Sequence, residues 1–298
     1  MPFAARFRTP HLSPRRIAFG LLAVLLSLGI FAGCGTLDSQ QRRWIFQPAA
    51  ETWWAGEEVA LGMEPVWIEF ESGETGRPAK LHGLWHAQPQ ADTAGKPAPV
   101  LLYLHGARWD VMGSASRVRR MHKLGFSVLA IDYRGFGQTS SELPSEAMAY
   151  EDARAAWKWL AGQHPQAERF IFGHSLGAAI AVDLAAHADD EAGLIVEGSF
   201  TSIRDVVAGM RWGWLPVGPF ISQRFDARSK IARIGSKLLV VHGSNDRLIP
   251  WTLGQTLFEL ATTPKRWVLV EGGSHHNTNS LGQDAYRSAL SELFGLGS

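Results

Sequence analysis

The chain has 298 residues, with 29 Lys+Arg against 28 Asp+Glu and a net charge of +1. That length suits one large α/β domain or two small ones, and the balanced charge argues against a nucleic-acid surface or a polyanionic partner. A single cysteine excludes a disulfide within the chain. The 12 tryptophans are spread along the chain and read mostly as core packing.

The first segment reads as a targeting signal over residues 1–33. Arg6, Arg8, Arg15 and Arg16 form a basic start, and Ile17 to Gly33 is an uncharged apolar run ending on small residues. Cys34 follows Phe31-Ala32-Gly33 directly. This resembles the lipobox of bacterial lipoproteins, in which the cysteine is acylated, although Phe31 stands where leucine is usual. The competing reading is an uncleaved anchor, since the run is close to the shortest membrane span. The small residues and the lone cysteine favour the lipoprotein. Both readings put the remaining chain outside the cytoplasm, membrane-anchored in the cell envelope. Gly35, where aspartate would signal retention, points by the same analogy to the outer membrane of a two-membrane bacterium. Residues 34–62 read as a tether and lead-in. Their aromatics, Trp44, Phe46, Trp53 and Trp54, suit packing on the domain or a membrane interface equally.

From residue 63 to 298 the pattern is one α/β domain. Val66-Trp67-Ile68-Glu69-Phe70 and Leu81-His82-Gly83-Leu84-Trp85 flank a Gly73–Gly76 turn and read as a hairpin. After a polar loop from Ala87 to Pro99, apolar strands alternate with helical stretches. The strands are Val100–Leu104, Ser127–Ile131, Arg169–Phe172, Leu194–Glu197, Leu238–Val241 and Arg266–Val270. Such continuous apolar runs predict a mostly parallel central sheet with helices on both faces. Ser145 suits the N-cap of a helix from Glu146 to Leu160. Pro250 suits the start of a helix from Trp251 to Leu260, and Asp284–Phe294 closes the chain. Residues 198–235 are long for a strand-to-strand connection and carry Met210, Trp212, Trp214 and Phe220. They read as a small cap insertion, either lining an acyl pocket or merely packing on the sheet.

The chemistry is concentrated in Gly173-His174-Ser175-Leu176-Gly177, set between an apolar strand and a stretch of small and aliphatic residues. Strand, Gly-x-Ser-x-Gly, helix is the nucleophile elbow. Its glycines are required where strand and helix nearly touch. A serine hydroxyl needs a base, and that imidazole needs a carboxylate to fix its tautomer. Sites in open parallel sheets gather beyond the carboxyl ends of the strands. There lie Asp246, the candidate acid, and His275, the candidate general base. The order Ser175, Asp246, His275 is the one this arrangement requires. Glu197 and Asp205 are rival acids, and His276 is a rival base. The amides of Ala107 and Leu176 are the candidate oxyanion hole. His105, His174 and His242 read as structural, as do Asp132 and Arg134, which suit a pair with each other. No Cys or His grouping has metal-ligand spacing, and no cofactor is expected.

Six ordered segments carry a resemblance to the α/β-hydrolase superfamily. They are Tyr103-Leu104-His105-Gly106, Asp132-Tyr133-Arg134-Gly135-Phe136-Gly137, the elbow, Ser199-Phe200-Thr201-Ser202, Val241-His242-Gly243-Ser244-Asn245-Asp246 and Gly272-Gly273-Ser274-His275. Within it the chain is most similar to the membrane-associated alpha/beta hydrolase domain-containing serine hydrolases, the depalmitoylase-like branch and its bacterial relatives. The resemblance covers about Pro65 to the C-terminus. It implies an α/β-hydrolase fold and a serine hydrolase acting on small-molecule carboxylic esters or thioesters. One departure stands out. The first motif usually continues with small and polar residues, whereas this chain has Arg108-Trp109-Asp110, which alters the pocket entrance. Two other classes stay open: a serine peptidase of the same fold, and a non-catalytic membrane-tethered binding protein.

Overall fold

The computed structural model describes residues 35–48, 56–89, 97–210, 213–215 and 218–296. The apolar run, Cys34, Trp53 and Trp54 lie outside the described residues. Among the described residues no helix is long and apolar enough to cross a membrane.

One eight-stranded sheet organises the domain. In chain order its strands are β1 (Glu64–Glu71), β2 (Pro78–His86), β3 (Val100–Leu104), β4 (Ser127–Ile131), β5 (Arg169–His174), β6 (Gly193–Glu197), β7 (Lys237–Gly243) and β8 (Lys265–Val270). Their spatial order is β1-β2-β4-β3-β5-β6-β7-β8. The β1–β2 hairpin and the β2–β4 pair are antiparallel, while all other pairs are parallel, so β2 alone runs against the rest. This is the mostly parallel sheet that the apolar runs anticipated.

Every residue of β3, β4 and β6 is buried, because both faces of the sheet are covered. Alternate side chains feed two cores. On one face Val100, Leu102, Leu104, Ile171 and Val196 pack beneath α4 (Glu146–Gln163), α5 (Leu176–Ala185) and α7 (Trp251–Leu260). On the other, Leu101, Tyr103, Val128, Phe172 and Val241 share a core with Ala60 of α2 (Gly56–Ala60) and meet α3 (Ala115–Lys123) and α9 (Gln283–Phe294), the short α8 (Thr278–Leu281) preceding α9. All ten residues of α5 are buried, as expected of a helix apolar on every side. Ser145 caps α4, its hydroxyl accepting from the Met148 amide at 3.2 Å.

The stretch anticipated as a tether is partly built into this fold. Residues 35–46 form a helix, α1. Phe46, at its end, is fully buried against Phe136 and Phe225. Its polar side holds the connection between β6 and β7: Gln41 donates to the Phe220 carbonyl at 2.7 Å, and the Asp38 carboxylate accepts from Ser222 and Gln223. That connection, the anticipated cap, contains α6 (Ile203–Ala208) and short 3-10 turns at Gly218–Phe220 and Ile231–Arg233.

Asp132 and Arg134 do not pair. Their side chains leave the loop in opposite directions. The Asp132 carboxylate accepts from the Val111 amide at 2.6 Å and faces His82 and His105, each at 3.4 Å. Arg134 is wholly buried and donates to Asp152, Glu151 and Ser72 at 2.5–2.7 Å, tying α4 to the hairpin.

The strand-to-helix turn between β5 and α5 leaves no room for a side chain at either of its glycines. A Cβ at Gly173 would meet the Gly177 carbonyl oxygen at 2.3 Å, and one at Gly177 would meet the Leu104 carbonyl oxygen at 2.1 Å. Both are backbone contacts that cannot swing aside. Between these glycines Ser175 sits at φ 57°, ψ −120°, a conformation that L-residues rarely adopt. Gly177→Ala therefore destabilises the protein by about 3 kcal/mol or more. Gly162→Ala, in the exposed last turn of α4 where nothing lies within 4 Å of the new methyl, is neutral or stabilising by about 0.5 kcal/mol. Denaturant unfolding of the two variants measures both.

Candidate active site

The turn aims the Ser175 hydroxyl out of the sheet, and two loops bring partners to it. His275, in the loop after β8, has Nε2 2.9 Å from Ser175 Oγ. Its Nδ1 lies 2.7 Å from Asp246 Oδ2, in the loop after β7. A carboxylate beside Nδ1 keeps the proton there, leaving the Nε2 lone pair to accept from the serine hydroxyl. All three groups sit beyond the carboxyl ends of parallel strands, where loops diverge and leave a crevice.

Asp246 is prepared as an anion. The Leu248 and Ile249 amides donate to Oδ1, each at 2.9 Å. His242 sets its Nε2 3.4 Å from Oδ2 and 3.0 Å from the Ile249 carbonyl, so both neighbours of that nitrogen are acceptors and the proton resides on it. Burial alone would raise the Asp246 carboxyl, but the hydrogen bonds from His242, His275 and the Ile249 amide outweigh it and hold the group well below its usual range. Asp246 is thus charged throughout neutral pH.

The rival acids are committed elsewhere. Glu197 accepts from Arg117 Nε at 3.0 Å and from the Tyr286 hydroxyl at 2.6 Å. Asp205 accepts from the Thr201 hydroxyl at 2.5 Å, at the start of α6, where its amide donates to Ser202. His276 is exposed and lies beside the pocket, outside the Ser175–Asp246 line. Burial, then the charges of His275 and Arg117, lowers its pKa.

Arg117 had no signal in the sequence; α3 carries several cations and no spacing singles this one out. Its Nη2 donates to the carbonyls of His275 and His276 at 3.2 and 3.1 Å, pinning the loop that carries the histidine. His174 packs beside it; burial first, and the Arg117 charge next, hold that ring neutral.

A cavity of about 320 Å³ opens at Ser175, toward the lower end of the usual range for ligand sites, about 300–1,000 Å³. One wall comes from the β6–β7 connection: Phe200, Ile203, Val206, Val207 and Met210. The lining also includes Trp44 and Ile45 of α1, again invisible to motif reading, since nothing in the chain sets α1 near the serine. Ala107 and Leu176 line the same space, and among the described residues neither amide donates to a protein acceptor. Leu176 also opens α5, whose N-terminal dipole favours negative charge there. No group of His, Cys, Asp or Glu suited to a metal ion occurs among the described residues.

Comparison with known proteins agrees with this architecture. A family model described as serine aminopeptidase, S33, matches residues 95–226. An uncharacterized protein of Mycobacterium tuberculosis is 35% identical over 265 residues, 87% of this chain and 90% of that one. Lysophosphatidylserine lipase ABHD12 of Danio rerio is 29% identical over 216 residues, 61% of this chain and 56% of that protein. A solved esterase of Pyrococcus furiosus matches with a TM-score of 0.63 at 18% identity, over 83% of this chain and 99% of that one. The mycobacterial relative spans most of both chains and the solved esterase shares the fold, and the chain belongs to the α/β-hydrolase superfamily.

Proposed function

We propose that the protein is a serine hydrolase that cleaves carboxylic esters or thioesters through an acyl-enzyme. The observation that carries this reading is the continuous hydrogen-bonded line from Ser175 through His275 to Asp246, at 2.9 and 2.7 Å. Ser175 Oγ attacks the substrate carbonyl carbon while His275 Nε2 takes its proton. Asp246 stabilises the resulting imidazolium and holds the ring in place. The amides of Ala107 and Leu176 receive the negative charge that develops on the carbonyl oxygen. His275 then returns the proton to the departing alcohol or thiol. Water repeats the sequence on the acyl-enzyme, releasing a carboxylic acid and restoring Ser175.

The apolar wall over residues 200–210 supports an acyl substrate. The family model's description favours a second reading, a serine aminopeptidase. An aminopeptidase needs an acidic group to hold the substrate ammonium, and no Asp or Glu lines the cavity among the described residues. That absence supports esters over aminoacyl amides. In the same reading, Cys34 or the apolar run before it anchors the protein to an envelope membrane. The exposed Trp214 and Phe220 of the cap, beside α1, suit that setting.

Three outcomes follow from this assignment. Ser175→Ala abolishes labelling by a fluorophosphonate probe and lowers kcat by at least about 10⁴-fold, and Asp246→Asn lowers it by about 10³–10⁴-fold; labelling of the Ser175 variant equal to wild type overturns the enzyme reading. Against matched substrates, kcat/KM is higher for acyl esters than for aminoacyl anilides and rises from acetyl to longer chains, a strict acetyl preference being the contrary result. In a bacterial host, the full chain incorporates radiolabelled palmitate and Cys34→Ser does not; equal incorporation by both removes Cys34 as the modified residue.

A further inference from the structure

Arg108 stands where the family's first motif usually has small and polar residues, and it lines the cavity with Ser175. Its backbone is in the left-handed region at φ 85°, a conformation that favours glycine. Across from it Gln47 is also left-handed, at φ 47°. The two residues lock each other. The Arg108 amide donates to the Phe46 carbonyl at 2.9 Å, Arg108 Nε donates to Gln47 Oε1 at 2.8 Å, and Gln47 Nε2 donates to the Trp44 carbonyl at 3.0 Å. A surface arginine needs no such framework. Here a strained backbone and a neighbouring amide fix the base of the guanidinium at the pocket mouth.

Only Nε is used by these contacts. Among the described residues no carboxylate lies within ion-pair distance of the guanidinium and no protein acceptor takes its terminal N–H groups, and the residue is exposed at the cavity lining. The other arginine of the cavity, Arg117, is already committed to Glu197 and two backbone carbonyls. The described lining also carries several histidines and no acidic side chain. A planar guanidinium fork with no internal anion matches a phosphate or carboxylate in geometry and charge.

We propose that Arg108 is the recognition site for an anionic group, phosphate or carboxylate, on the polar end of the ester that Ser175 cleaves. The proposal rests on the serine-hydrolase reading and names the substrate class within it. The substrate is an ester with an apolar acyl part and an anionic polar part. Its acyl chain lies against Ile203, Val206 and Val207, and its anionic end stays at the exposed mouth beside Arg108.

The test uses the full-length protein in neutral detergent and three esters of one fatty acid: with glycerol, with glycerol 3-phosphate and with glycerate. Wild type prefers at least one anionic ester over the neutral one, and whether the phosphate or the glycerate arm is favoured identifies the group. Arg108→Gln raises KM for the preferred anionic ester at least tenfold more than it raises KM for the glycerol ester. Arg108→Lys keeps part of the preference. Arg108→Gly relieves the left-handed backbone yet behaves like Arg108→Gln, which separates the guanidinium from the loop conformation. Equal treatment of neutral and anionic esters by wild type, or an equal loss on both in Arg108→Gln, overturns the proposal. If no ester is turned over, the serine-hydrolase reading is what has failed. Calorimetric binding of the non-hydrolysable ether analogue of the phosphate ester then still tests Arg108, with at least tenfold weaker binding to Arg108→Gln expected and unchanged binding refuting it.

Discussion

The van der Waals contact between β5 and α5 is the constraint on which the rest depends. A Cβ on Gly173 of β5 would lie 2.3 Å from the Gly177 carbonyl oxygen of α5, so neither glycine can carry a side chain while strand and helix stay this close. Closing that turn forces Ser175 to φ 57°. A strained residue persists only where its surroundings over-determine it. Here they are the fully buried α5 on one side and the parallel β5–β3 and β5–β6 ladders on the other. The strain has a geometric result: the hydroxyl stands clear of the sheet at the N-terminus of a helix.

A second tier of interactions positions the groups around the serine. Asp246 is held by two amides and by His242, and His275 is held through its own backbone by Arg117, which is held by Glu197, itself held by the Tyr286 hydroxyl. These contacts join α3, β6, β7 and α9 to one imidazole. Buried charges of this kind are costly to desolvate, and each is matched by a partner of opposite sign or by oriented N–H groups. The network specifies one geometry rather than adding much net stability.

The N-terminal helix changes the meaning of the segment behind the apolar run. By burying Phe46 and binding the 218–223 stretch, α1 ties the lead-in to the cap, and both line the cavity. Gln47, directly after α1, accepts from Arg108 Nε. The segment that follows Cys34 and the entrance to the pocket are therefore one structural unit.

The strands, their burial and the elbow were legible in the chain, because each is local. An apolar run covered on both faces has one reading, and Gly-x-Ser-x-Gly between a strand and a small-residue helix has one tight-turn solution. Asp246 and His275 were legible as candidates by their strand-end positions and order. Which of Asp246, Glu197 and Asp205 faces the imidazole depended on where loops from different strands meet, and only the tertiary structure decided it: Glu197 turned to Arg117, and Asp205 to the start of α6. The same holds for Asp132 and Arg134, neighbours in sequence whose side chains diverge to different partners. The placement of α1, the inward aim of Arg117 and the unpaired fork of Arg108 arise from contacts between residues some sixty or more positions apart. Local pattern carries the backbone geometry of this protein, whereas pairing between distant side chains is set by packing, which no spacing within the chain encodes.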